Sequence, residues 1–352
     1  MRRTGSGPYR RGMDPIDSPR PSRRRDPLAR RLAPAIGLAL LSPVCAEMLS
    51  GYDVTTGDPA ALLVTVLFGA ALYGAPALLI RETARRAGLG WPGVLLLAAA
   101  AGIVQAGIVD QSLFSSNYRG IDYWDELTGP TWIDPLGLSA AAATTFIGGH
   151  VIWSFTAPIA IVEAIDARDH QRPWLRAPGL AVTAILYLAA AYFVLQDHLA
   201  TETDHASAAQ ITGAATAAAV GIALALLLGR SRDHTHQRRV PPPAVLIPAA
   251  VVLITAASWS HSWTGAAVGA ALIAAGAAAI VHWSRSATWQ RRHTTALAAG
   301  ALFAVVLPSF LTDPIGETDP VAKYVNNAAM TLLVIALTWW SMRRAARTAA
   351  PR

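Results

Sequence analysis

The sequence predicts an all-α fold, a polytopic transmembrane bundle of about ten helices with both termini in the cytoplasm. Three observations predict it. Only 14% of the 352 residues are charged while 53% are hydrophobic, with a mean hydropathy of +0.37; a soluble domain carries about 25% charged residues. The remaining charge is concentrated between long Ala/Leu/Val/Ile/Gly runs instead of being spread through them, as in a chain solvated by lipid. The third observation is the placement of the basic residues. With the amino terminus inside and ten alternating spans, all but Arg119 and Lys323 of the 29 lysines and arginines fall in cytoplasmic segments. Such an excess of Lys/Arg marks the inner side of a membrane protein. One helix more or fewer would invert every later loop and destroy the bias, so it tests the helix count as well.

A span needs about 20 apolar residues to cross about 30 Å of hydrocarbon. The runs that meet this are Leu32–Gly51, Ala60–Ile80, Trp91–Val109, Leu138–Glu163, Pro178–Leu195, Ala208–Gly229, Pro242–Trp259, Gly265–Trp283, Thr294–Leu311 and Val325–Met342. The two runs flanking Ser260–Thr264 also fit a re-entrant pair. Residues 1–31, rich in Arg, Pro and Ser, are expected to be a disordered basic cytoplasmic tail, residues 32–342 the helical domain, and residues 343–352 a second basic tail. Arg30-Arg31 before an apolar run suggests a signal peptide. The run from Leu32 is long for one and ends without an A-x-A exit, so it is read as a retained first helix. The Ser42-Pro43-Val44-Cys45 stretch has Pro and Val where a lipoprotein box has small residues.

A formal charge of +7 would suggest nucleic acid for a soluble domain, but here membrane orientation accounts for it and no nucleic-acid partner is predicted. One cysteine, Cys45, excludes an internal disulfide and a cysteine metal cage. The expected location is the bacterial cytoplasmic membrane, with the lipid bilayer as the predicted partner. In the sixth and eighth helices, small residues recur every four positions: Gly213, Ala217 and Gly221, then Ala267, Ala271 and Ala275, with Gly265 and Gly269 beside them. Series of this kind let helix backbones approach closely.

Ionisable groups inside spans are costly and mark functional candidates. Nearly all lie in the first four helices. Glu47 is about 22 Å along its crossing, in the outer half. Gln105 occupies a similar level in the third helix, Asp110 ends that helix, and His150 lies near the middle of the fourth, one turn before Ser154. These residues are the candidate ligand-binding set, sharing a pocket open to the outside. Catalytic residues are not assigned, and no metal site or cofactor is predicted. Pro43, Pro76, Pro158 and Pro308 lie inside spans and free the carbonyls of Ala39, Leu72, Ser154 and Ala304; broken helices at membrane depth face protein or a watery cavity. Arg81-Glu82 and Glu163 sit at cytoplasmic ends, where snorkelling and ion pairing suffice. His234-x-His236 reads as a solvated turn. The loop of residues 110–137 carries Phe114, Tyr118, Tyr123, Trp124 and Trp132. These aromatics suit headgroup anchoring, and a loop this long suits a lid over the pocket.

Between residues 40 and 165 the chain resembles a set of bacterial polytopic membrane proteins of unknown function. The residues that carry the resemblance are Glu47-Met48-Leu49-Ser50-Gly51, Arg81-Glu82, Gly102-Ile103-Val104 with Gly107, and His150 with Ser154 and Pro158. The pattern is also similar to the CAAX-protease and bacteriocin-processing intramembrane enzymes, in which a Glu-Glu pair and histidines on separate helices activate water. The chain departs from them at Gln105-Ala106, which replaces the acidic pair; an amide is no general base and alanine no ligand. Binding or transport of a small molecule or lipid is therefore the first functional expectation. The alternatives are a non-catalytic membrane assembly partner and an intramembrane enzyme using Glu47 and His150.

Overall fold

The structure is a computed structural model that describes residues 28–166, 172–230 and 237–348. The expected disorder up to residue 27 and the His234-x-His236 turn lie outside the described residues. All ten predicted helices are present: α1 (Leu28–Met48), α2 (Pro59–Arg86), α3 (Trp91–Val109), α4 (Ala140–Ile165), α5 (Ala177–Thr201), α6 (Ala208–Leu228), α7 (Pro243–Ala257), α8 (Trp263–Trp283), α9 (Arg291–Val306) and α10 (Pro320–Thr348). Among the described residues, nine helical segments are long and apolar enough to cross a membrane. The exception is α7, of 15 residues, or about 22 Å. Both tails are shorter than expected, since α1 already includes Leu28–Arg31 and α10 continues through residues 343–348.

Helix starts follow local capping chemistry. The Asp58 carboxylate accepts from the amides of Ala60 and Ala61 at 2.9 and 3.1 Å, with Pro59 opening α2. Ser139 caps α4 and Ser262 caps α8. Ser207 and Gln210 form a reciprocal capping box on α6. Each such cap satisfies amides that the first turn leaves without a partner.

Contacts between loops sort the molecule into two ends. At one end, which is rich in arginine, Arg31 donates to the carbonyl of Trp174, Arg291 to that of Asp166, and Gly90 N to that of Gly229. Arg238 there meets His282 and Ser286. At the opposite, acidic end, Ile315 N donates to the Tyr52 carbonyl, and Arg119 and Ser116 bind Asp197 and Asp204. These contacts follow the alternation that ten crossings require. α8 has His282 at the basic end and also packs against Gly129–Thr131 of the acidic-end loop. It therefore runs the full length of the bundle, and α7 returns beside it, in place of a re-entrant pair.

α4 lies between two buried cores: Phe155 and Ile159 pack in one with Ala77 of α2, and Ile161 packs in the other with Leu302 of α9. Glycines set the closest approaches: Gly300 of α9 rests on Ile247 and Ala250 of α7, Gly221 of α6 on Ala100 of α3, and Gly265 and Gly269 on Ser260 and Ala257. The small-residue series are only partly used in this way. Gly213 and Ala217 face outward, and the buried face of α6 is one residue along, at Ala214, Ala218 and Ala225. Ala267, Ala271 and Ala275 of α8 are likewise exposed.

Candidate functional site

Each of the first four helices contains one wide turn of π-helix. These turns are Val44–Met48 in α1, Ala70–Gly74 in α2, Gln105–Val109 in α3 and His150–Thr156 in α4. A π-turn breaks the regular i→i−4 ladder and is frequent at functional sites. Proline accounts for three of the four, because Pro43 immediately precedes the first turn and Pro76 and Pro158 closely follow the second and fourth. One of the predicted free carbonyls gains a donor from a neighbouring helix, since the Ser42 hydroxyl donates to the Ser154 carbonyl; Gly74 lets α2 back directly onto the main chain of Ala39. The third turn contains no proline, and nothing in the sequence marks it.

The turns bring Glu47, Tyr73, Gln105 and His150 to one region of the bundle. The Tyr52 hydroxyl donates to Glu47 Oε2 at 2.6 Å, and the Tyr73 hydroxyl lies beside the same carboxylate. Tyr73 stacks on His150 with ring centroids 5.9 Å apart, and His150 Nδ1 is 3.0 Å from Ser154 Oγ. Gly102 of α3 lies against His150, where a side chain would be crowded at 3.2 Å. Glu47 and His150 are therefore joined through Tyr73. Gln105, only 1% exposed, receives a long 3.5 Å contact from Tyr187 of α5 to its Oε1. Its side-chain nitrogen donates to none of the described residues.

Asp110 is the first residue beyond the third span. Burial pushes its carboxyl up to about 6, with the neighbouring Glu47 adding to the rise; bonds from Ser112 and the more distant Arg119 oppose it. The Ser112 amide donates to Asp110 Oδ1 at 2.9 Å. Tyr52 lies well above the ordinary phenol range because of the adjacent Glu47 charge, then burial. The chain leaves α3 through Gln111 in the left-handed region, φ 56°, and the Gln111 side chain accepts from Ala206 N at 2.7 Å.

The loop of residues 110–137 is ordered. It contains a one-turn helix, Trp124–Thr128, and a two-stranded antiparallel hairpin in which β1 (Trp132–Ile133) pairs with β2 (Leu138–Ser139). Trp124 is buried, which decides against headgroup anchoring for this one of the loop aromatics. It stacks on Phe146 at 5.4 Å and donates to the Ser115 carbonyl at 3.0 Å. Tyr118 lies tilted against Trp124 and stacks on His198. His198 is fully buried, and neither of its ring nitrogens has a hydrogen-bond partner among the described residues. A shallow groove lined by Asn117, Arg119, Gly120, Thr201, Glu202 and Thr203 opens above this layer.

Sequence reasoning missed two things. One is the tyrosines around Glu47 and Gln105; Tyr73, three residues before Pro76 in a kinked span, was the available signal. The other is the depth of the basic-end ion pairs, which are buried instead of snorkelling. Arg81 and Glu82 are 0% exposed. Glu163 accepts from Arg81 Nε at 3.0 Å and from Arg85 at 2.8 and 2.6 Å. Glu82 accepts from Arg81 at 2.6 Å and from the amides of Trp174 and Leu175, and the Arg81 guanidinium lies 3.7 Å over the Trp174 ring.

Among the described residues, no group of three His, Cys, Asp or Glu side chains is placed to hold a metal ion. No curated protein and no solved structure matches the chain. A family model described as an uncharacterized membrane protein family matches residues 37–349, a stretch that includes the whole polar cluster. On the extent of that match, the chain belongs to this uncharacterized membrane protein family.

Proposed function

We propose that this membrane protein binds, and as a transporter passes, a small molecule or lipid headgroup at the cluster of Glu47, Gln105, Asp110, His150 and Ser154. The observation that carries the reading is the coincidence of four π-turns in four consecutive helices, each placing a polar side chain in the same layer. Helix breaks at membrane depth are tolerated where they line a site, and the straight helices α5, α6 and α8 bring few comparable groups. With the orientation that the arginine distribution predicts, the site opens outward beneath residues 110–137, which act as its lid. Buried ion pairs of Arg81, Arg85, Glu82 and Glu163 close the opposite, cytoplasmic end.

Native mass spectrometry of gently purified protein tests this. The expected result is a stoichiometric small molecule or lipid in the wild type that is lost in a folded Glu47→Gln variant. A bare mass in the wild type, or a ligand retained in the variant, overturns the reading.

A further inference from the structure

His198 lies past Leu195, where the predicted fifth span ends, and it is 0% exposed. Neither ring nitrogen has a hydrogen-bond partner among the described residues. A neutral imidazole carries one donor and one acceptor, and leaving both unmade in a dry site is a cost that folded proteins usually avoid. The ring's neighbours are aromatic. Tyr118 stacks on it with centroids 6.2 Å apart, and His205 meets it edge-on at 5.6 Å.

Around this ring the loop of residues 110–137 is clasped to the connection between α5 and α6. The Arg119 guanidinium donates to Asp197 at 2.6 Å and the Arg119 amide to Glu202 at 3.1 Å. Ser116 donates to Asp204 from both its amide and its hydroxyl, each at 2.7 Å. The Ala206 amide donates to the Gln111 side chain at 2.7 Å. Tyr118 lies between Ser116 and Arg119 in the chain, so its stack on His198 is held inside the clasp. The charged and titratable groups around His198 are Tyr118 and Arg119 on the loop, Asp197 and Glu202 at the end of α5, and Asp204 and His205 on the connection. The three carboxylates are turned to the loop donors, and none of them bonds the ring. A charged imidazole in the closed clasp would be buried without a partner beside Arg119 and His205, which is a heavy penalty. The clasp itself is light. Arg119 and Asp197 are each 41% exposed, and ion pairs at such positions hold weakly.

Resting on the binding reading above, in which residues 110–137 cover the site, we propose that His198 is a proton-operated catch on that cover: proton uptake by the ring is coupled to release of the loop from the α5–α6 connection, so acidification opens the site. Once the loop lifts, water reaches the ring, satisfies both nitrogens and solvates the charge. The groove between Asn117, Arg119 and Gly120 on one side and Thr201, Glu202 and Thr203 on the other is the seam along which the two parts separate. The open form binds the extra proton, so its share rises as pH falls. A hydrated imidazole titrates near pH 6.5. With the proton taken up only by the open form, the open-to-closed ratio is almost unshifted at pH 8 and about tenfold higher at pH 5.5.

The test uses the full chain in phosphatidylcholine nanodiscs, with spin labels at Asp122→Cys on the loop and Ala209→Cys on α6. Both positions are exposed, and the native Cys45 is buried away from the label. Double electron–electron resonance then reads the distance between loop and connection. The expected result is a longer-distance population whose ratio to the shorter one rises about tenfold from pH 8 to pH 5.5. His198→Phe keeps a ring for Tyr118 but has no proton site, and its ratio should be the same at both pH values. His198→Asn, also without a proton site in this range, serves if the phenylalanine variant does not fold. His205→Gln removes the exposed neighbouring imidazole and should leave the tenfold response in place. A ratio that stays constant or falls on acidification with both histidines present overturns the proposal. So does a response that survives the loss of His198 or disappears in His205→Gln. A loop indifferent to pH, together with a native ligand lost in Glu47→Gln by mass spectrometry, removes the catch and leaves the binding reading standing. A loop that opens with acid over a site that yields no ligand does the reverse.

Discussion

Glu163→Gln should destabilise the bundle far more than Asp197→Asn, although both carboxylates lie 2.6 Å from an arginine nitrogen. The difference is burial: side-chain exposure is 5% at Glu163 and 41% at Asp197. Among the described residues, Glu163 receives three guanidinium donors from Arg81 and Arg85, whose own side chains are 0% and 3% exposed. Neutralising it leaves two cations deep in protein. Arg81 keeps Glu82 at 2.6 Å, while Arg85 falls back on the Leu89 carbonyl at 3.4 Å. Removing one partner of a buried pair costs about 3–5 kcal/mol. An exposed pair is worth about 0–1 kcal/mol. Unfolding in mixed micelles, followed by tryptophan fluorescence, measures both, and Trp174 over Arg81 is a local reporter. If Glu163→Gln loses no more stability than Asp197→Asn, the basic-end network is not a structural element and the reasoning fails.

Three further outcomes are expected. Asp110 has a folded-state value of about 6, above its ordinary 3.8. The fold thus binds the extra proton, and stability contributed at acid pH is lost as pH rises from about 4 to about 6. Thermal midpoints of wild type and Asp110→Asn should differ most at pH 7 and converge on acidification, and a constant difference contradicts the burial. Gly74→Val places a side chain against the main chain of Ala39, an overpacking that costs about 1–3 kcal/mol; a variant as stable as wild type in the same unfolding assay would mean that α1 and α2 do not approach so closely. Trp124→Ala removes the stack on Phe146 and the bond to Ser115, a loss of about 3–5 kcal/mol for a buried tryptophan. Limited proteolysis should then cut within residues 110–137, and continued resistance would show that the loop is ordered without it.

The ten helices were legible because each crossing leaves a long apolar run and each basic turn is set by membrane topology, neither of which depends on distant contacts. The candidate residues Glu47, Gln105, Asp110 and His150 stand out in the sequence as polar groups in apolar surroundings. How they connect was not legible. Tyr52, Tyr73 and Tyr187 look like ordinary membrane tyrosines until folding brings them to Glu47 and Gln105. The π-turn at Gln105–Val109 has no proline to announce it. Trp124 is ambiguous in the sequence for a related reason: an interfacial tryptophan and a buried one have the same sequence context, and only the stack on Phe146 from the following helix separates them. The burial of Arg81 and Glu82 depends on the segment at Trp174 and Leu175 folding back over α2, a contact across some ninety residues that no local pattern encodes.

The wide turn at His150–Thr156 ties the two ends of α4 together by phase. A regular helix advances about 100° per residue, so one residue accommodated in a widened turn re-aims everything after it. Upstream of the turn, α4 meets the loop through Phe146; downstream, it presents Glu163 to Arg81 and Arg85. Deleting one residue from the turn would restore the 3.6-residue winding and draw the far segment back by about 1.5 Å. The same residues wound without the wide turn would instead rotate Glu163 off both arginines by roughly a quarter of a revolution. The turn thus works as a clocking shim: its extra residue aligns His150 with the polar layer and Glu163 with the ionic seal on a single rod.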